Sequence, residues 1–296
     1  MITVKVPATS ANLGAGFDSC GVALSLYNTA RMEEADGPVI SSADGTNTPT
    51  DESNLIYQSA RRVYEACGKP FRGMKIIQES PIPMARGLGS SSACIVAGIL
   101  GANALLGDPF SKEDAVNFAT SIEGHPDNVA PAILGGFVVS AYDGGHVYSL
   151  RKDIAPRVTF AAFIPDFELL TETARAALPK EVPHRDAVYN LSRAALLATA
   201  FCTEQYEMLP VATKDMLHQP YRLPLIENGE KVFELAKSCG ALGTFISGAG
   251  PTILAVVRTS DRAAFLREAG ARLQEGELGA YHLHCFDADN AGAVVE

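Results

Sequence analysis

The chain has 296 residues and a net charge of −10 at pH 7, with 47 % apolar and 20 % charged residues. That length suits two domains better than one core, and the balance of residues is that of a globular protein. The acidic charge argues against a nucleic-acid surface, which needs clustered Lys and Arg, but leaves room for a nucleotide, whose phosphates a few backbone amides and a metal can hold.

In chain order, ITVKV (2–6) alternates as a strand does, and CGVALSLY (20–27) is a second apolar candidate. Residues 36–53 are rich in turn formers and read as a loop or hairpin connection. A helix is expected over 54–67 with Ser53 as its cap, then a strand over 73–80. The next helix should run from about 91 to 106 and stop at Gly107, with Asp108-Pro109 beyond it. Ser111 and Asp114 have capping-box spacing and open a helix that ends at Glu123-Gly124. Strands are expected at 135–142, 158–165, 252–257 and 281–286, and helices at 171–178, 185–203, 227–238 and 261–274.

Strands and helices mix without a βαβ rhythm, so the fold class is α+β, and the domain boundary is placed near residue 160, giving 1–160 and 161–296. Six scattered cysteines form no CxxC pair and point to a reducing compartment. The N-terminus lacks a signal-peptide layout, and no apolar run reaches the roughly 18 residues of a membrane span. A cytoplasmic location without membrane contact is therefore expected.

The most informative stretch is IPMARGLGSSSA (82–93), which runs directly into the apolar CIVAGILGANALLG. Glycines allow close backbone approach and positive φ, and the bare amides of a helix start carry partial positive charge. The combination makes an anion site; a serine-capped core helix would share the same composition. Neither a GK[ST] loop nor a complete GxGxxG is present.

Residues 82–93 resemble the signature loop of the GHMP kinases over twelve consecutive positions. PATSANLGAGFDSCGVAL (7–24), EGHPDNVAPAILGGF (123–137) and LHQPYRLPLI (217–226) resemble segments of the homoserine kinases in that superfamily, and SGAGPTILAV (247–256) resembles its third motif. The resemblance implies a two-domain GHMP kinase fold, with an N-terminal domain like ribosomal protein S5 and a C-terminal ferredoxin-like α/β domain. It implies ATP and Mg²⁺ as cofactors, L-homoserine as phosphoryl acceptor on the way to threonine, and a homodimer.

Residue by residue, the resemblance places Pro83, Met84, Ala85, Arg86, Gly87, Leu88, Gly89, Ser90, Ser91 and Ser92 around the ATP phosphates and Asn54 near the adenine. Glu123 and Ser91 are the expected Mg²⁺ ligands. Asp18 with Asn12 meets the substrate ammonium, and Arg175 with Arg222 meets its carboxylate, the task for which a guanidinium fork is suited. Thr171 stands four residues before Arg175, on the same face of a helix, and Gly248 lets the backbone close on the site. His125 and Asn128, in an HPDN turn, lie on the substrate side, and Asn128 orients the hydroxyl in place of a base. Mevalonate or shikimate kinases are the near alternatives, but their substrates lack an ammonium for Asp18. A catalytically silent binding protein would be expected to lose the loop or Glu123. His282 and His284 have strand spacing, and nothing nearby in the sequence completes a metal site around them.

Overall fold

The computed structural model describes residues 1–275 and 278–296. Among them the strands form two sheets. The first contains β1 (Ile2–Ala11), β2 (Cys20–Glu34), β3 (Gly37–Ser42), β4 (Gly73–Glu79), β5 (Phe137–Asp143) and β6 (His146–Lys152). The second contains β7 (Val158–Pro165), β8 (Gly243–Ile246), β9 (Ile253–Arg258) and β10 (Tyr281–Phe286), and the final strand β11 (Val294–Val295) returns to the first. Ten helices accompany the described strands: α1 (Leu55–Ala66), α2 (Ser90–Leu105), α3 (Lys112–Glu123), α4 (Pro126–Leu134), α5 (Thr171–Ala176), α6 (His184–Thr203), α7 (Leu209–Ala212), α8 (Gln219–Arg222), α9 (Gly229–Ser238) and α10 (Arg262–Gln274).

The first sheet runs β11-β1-β2-β4-β3, with the β5–β6 hairpin attached to β2. One long strand serves both halves: Cys20–Val22 pair with β5, and Thr29–Glu34 pair with β4. The β1–β2 register breaks between Pro7 and Ala8. A proline cannot donate to a ladder, so placing it at an irregularity lets β1 continue to Ala11 rather than stop at residue 6. β3 lies within the stretch expected to be loop. It is a parallel edge partner of β4 reached through α1, and its turn-rich composition hid it.

The second sheet has the order β10-β7-β9-β8, all antiparallel, which is the ferredoxin-like arrangement. On β7 the alternate residues Phe160, Ala162 and Ile164 join a core shared with the first sheet. Ala161 and Phe163 join a second core with α9 and α10. A division at residue 160 therefore cuts through β7, and the chain's end belongs to the first sheet through Val4↔Val295.

Caps set the helices that carry the site. At α1 the cap is Asn54, whose side chain accepts from the amides of Ile56 and Tyr57, while Ser53 is held by Asp51. α3 has the expected capping box of Ser111 and Asp114. HPDN is no free turn: His125 caps α4, with Pro126 in the first helical position.

Candidate active site

The loop from Pro83 to Gly89 delivers the chain into α2 with its first amides unmasked. Gly89, the N-cap, is left-handed (φ 72°) and supplies no side chain, and the first turn holds no acid. A Cβ on Gly89 would stand 2.1 Å from Thr9 Oγ1, and one on Gly87 (φ 72°) would stand 2.2 Å from the Ser247 carbonyl oxygen. Only glycine fits either position, and the positive end of a 16-residue helix opens onto a cavity of about 250 Å³.

On the opposite wall a turn follows β1. Asn12 and Asp18 both adopt left-handed backbone there, which short polar side chains tolerate. Asn12 Oδ1 accepts from the Asp18 amide (3.0 Å), and Asn12 Nδ2 donates to the Gly248 carbonyl (2.8 Å). Arg175, on α5, places both terminal nitrogens on the two Asp18 carboxylate oxygens, each at 3.0 Å. Arg222, at the end of α8, is only 2 % exposed and donates to the Gly248 and Ala174 carbonyls. Burial, then the neighbouring Arg175 charge, pushes its pKa below the ordinary arginine value.

The floor comes from the ends of α3 and α4. Glu123 Oε1 accepts from Ser92 Oγ at 3.0 Å, and burial pushes the Glu123 carboxyl above the usual range. Asn128 Oδ1 accepts from Thr9 Oγ1 (2.8 Å), which makes Nδ2 the donor edge, with one of its two N–H groups toward Asp127 Oδ1 (3.4 Å). His125 Nδ1 is 2.7 Å from Asp127 Oδ1. Burial alone would lower the His125 pKa; the bond and charge of Asp127, with Glu123 and Asp18 behind it, outweigh that and raise it.

Two stretches match GHMP kinase families: residues 54–136 match the N-terminal domain and residues 197–274 the C-terminal one. A homoserine kinase from Caldicellulosiruptor bescii is 45 % identical, covering all of this chain and 97 % of its own. The chain belongs to the homoserine kinase family of the GHMP kinases. Two solved structures agree in shape over all of this chain: a homoserine kinase from Cytophaga hutchinsonii (TM-score 0.85, 28 % identity, 97 % of that chain) and a putative homoserine kinase from Listeria monocytogenes (TM-score 0.83, 34 % identity, 99 %). As a GHMP kinase it uses ATP. Among the described residues no helix is long and apolar enough to cross a membrane.

In this homoserine kinase-family chain the cavity brings together most of the residues singled out in the sequence. Asn12, Asp18, Pro83, Ala85, Arg86, Gly87, Gly89, Ser90, Ser91, Ser92, Glu123, His125, Asn128, Thr171, Arg175, Arg222 and Gly248 all line it. The expectations for five residues change. Asn54 is buried and caps α1, with its Nδ2 on the Pro49 carbonyl and Gln78, so its side chain has no free group for adenine. Leu88 is fully buried in the core, and Met84 is exposed outside the cavity lining. Arg86 reaches the lining, but its guanidinium is held by the carbonyls of Met84, Pro165 and Asp166 rather than left for phosphate. The hydroxyl beside Glu123 is that of Ser92, whereas Ser91 lines both this cavity and an adjoining one of about 380 Å³.

Asp127 is a residue the sequence reading passed over. It is buried beside Asp18 and His125, and one ligating atom from each of the three lies within 4.8 Å of the others. The signal was present in HPDN: an acid two residues after a histidine, in the first turn of a helix, can reach back to its ring.

Proposed function

We propose that this cleft transfers the γ-phosphoryl group of MgATP to the side-chain hydroxyl of L-homoserine, giving O-phospho-L-homoserine and ADP for threonine biosynthesis. The observation that carries the reading is the Asp18–Arg175 pair with buried Arg222 behind it, facing the bare start of α2 across one cavity. A zwitterion can exchange partners with such a pair: its ammonium takes Asp18, with Asp127 alongside, and its carboxylate takes Arg175 and Arg222. The side chains of Arg175 and Asp18 are 42 % and 34 % exposed, so opening the pair costs no more than about 1 kcal/mol. The charge-assisted bonds gained in exchange are worth about 1.5–3 kcal/mol each, so exchange wins.

The amides of Ser90, Ser91 and Ser92 and the positive end of α2 hold the ATP phosphates. The nucleoside extends into the adjoining cavity, past Ser91 toward Leu55, Gln58 and Arg62. Glu123 with the hydroxyls of Ser91 and Ser92 forms an all-oxygen donor set of the kind Mg²⁺ takes, and they would hold the ion. When bound, the metal neutralises charge on the phosphoryl oxygens.

Asn128 Nδ2 donates to the acceptor hydroxyl oxygen and aims its other lone pair at phosphorus, while Thr9 fixes the amide's orientation. A new O–Pγ bond forms as the bond from Pγ to the bridging oxygen breaks. The hydroxyl proton passes to the transferred phosphoryl group, because a loose transition state makes little demand on a strong base. A coupled ADP-release assay offering homoserine, mevalonate, shikimate and serine, with and without Mg²⁺, tests the reading. Homoserine should be preferred and the rate should require the metal; equal turnover of mevalonate would overturn the zwitterion pocket.

A further inference from the structure

We infer that His218 is a positioning residue: as a neutral imidazole carrying its proton on Nε2, it ties the Asn12–Asp18 turn to Arg222 and so holds the two ends of the amino-acid pocket in register. The inference rests on the cleft being the homoserine site. His218 precedes α8, is fully buried, and is absent from the cavity lining, so it acts through others.

Its bonding determines its tautomer. Nε2 lies 2.8 Å from the Gly14 carbonyl, which can only accept, and Nδ1 lies 3.4 Å from Arg222 Nη1, which can only donate. Both contacts are satisfied together only by the neutral ring with hydrogen on Nε2; an imidazolium would turn an N–H and a charge toward the guanidinium. The Asp215 carboxylate, 3.7 Å from Nε2, is already held by the amides of Leu217, His218 and Gln219. Burial pushes the His218 pKa below its ordinary value and Arg222 assists, while Asp215, the Gly14 bond and Asp18 oppose.

Phe17 completes the arrangement. The His218 ring stacks on it at 5.1 Å, and the Arg222 and Arg175 guanidinium carbons lie 5.2 and 5.8 Å from its centroid. The turn bearing Asp18 and both carboxylate-facing arginines thus share one aromatic plate, and His218 is hydrogen-bonded to both sides of it.

Steady-state kinetics with homoserine and with 3-aminopropan-1-ol, the same amino alcohol without its carboxylate, test this on wild type, His218→Gln and His218→Asn. Glutamine keeps a donor near the Nε2 position but no acceptor at Nδ1. Its kcat/KM for homoserine should fall about tenfold, that for aminopropanol less than about twofold, and the KM for ATP should hold. Asparagine keeps the acceptor for Arg222 but cannot reach Gly14, so it should lose on both substrates alike, through the ammonium end. Nitrogen-15 NMR of the wild-type imidazole should show Nδ1 bare and Nε2 protonated at neutral pH, a reading that needs no variant to fold. The opposite tautomer, an imidazolium, or a His218→Gln variant that loses equally on both substrates would overturn the inference alone. A wild-type protein that does not phosphorylate homoserine would overturn the reading of the cleft and the inference with it.

Discussion

In the proposed reaction Arg175 and Glu123 answer to different parts, and substitution should separate them. Arg175→Ala removes a charge-assisted fork from the acceptor side only. The homoserine KM should rise by about ten- to a hundredfold while that for ATP moves less than about twofold; initial-rate kinetics with each substrate varied in turn reads the split. Glu123 carries a cost in the folded protein, because burial raises its carboxyl pKa. The sign follows from linkage: a raised carboxyl holds its proton more tightly when folded, so its contribution favours folding at low pH and is lost as pH rises through the folded value. Glu123→Gln removes that cost. Its melting temperature should exceed wild type at pH 7, the gap narrowing as pH falls into the carboxyl range, while Mg²⁺-dependent turnover collapses. Calorimetry showing the variant less stable at pH 7 would contradict the account.

At the scale of elements, the helix that ends in Glu123 begins at the Ser111–Asp114 capping box, twelve residues of helix away. Ser111→Ala should cost about 1 kcal/mol in urea unfolding and leave homoserine and ATP KM values unchanged, since the cap is exposed and distant from the cleft. That box was legible because capping chemistry is local. So were α2 with its glycine entry and the short apolar run of β7, since each is written within a few adjacent residues. What escaped was set by distant partners. β3 is a strand only because β4 lies beside it, and β8 and α8 have four residues each, too few to show a period. At the site the same division holds. The resemblance brought out the loop, Asp18 and Arg175, but Asn54 and Arg86 look like ligands until the structure shows which carbonyls and amides already occupy them. The reach of Asp127 to His125 likewise depends on α4 starting where it does.

For the whole molecule, the cleft lies where the two sheets meet, and the loop proposed to face ATP is fastened from the far side of that joint. Arg86 donates to the carbonyls of Pro165 (3.0 Å) and Asp166 (2.6 Å) at the end of β7, and the Leu169 amide donates back to the Ala85 carbonyl (3.1 Å). Ser247 Oγ donates to the Gly87 carbonyl (2.6 Å), and the Gly248 amide to the Ala11 carbonyl (3.1 Å). The loop's curvature is thus imposed jointly by both sheets, and ATP affinity should depend on residues that touch no phosphate. Arg86→Lys separates the two roles this arginine could have. A phosphate ligand would survive the change, because lysine keeps the charge and a flexible donor. A clamp on several carbonyls would not, since one ammonium cannot reproduce a planar fork set between Met84, Pro165 and Asp166. Arg86→Lys and Arg86→Ala should therefore both raise the ATP KM, by about two- to tenfold as the clamp on the loop is lost, with the homoserine KM less affected. If the lysine variant instead kept wild-type ATP affinity while alanine lost it, charge rather than the clamp would be what the loop needs from this residue.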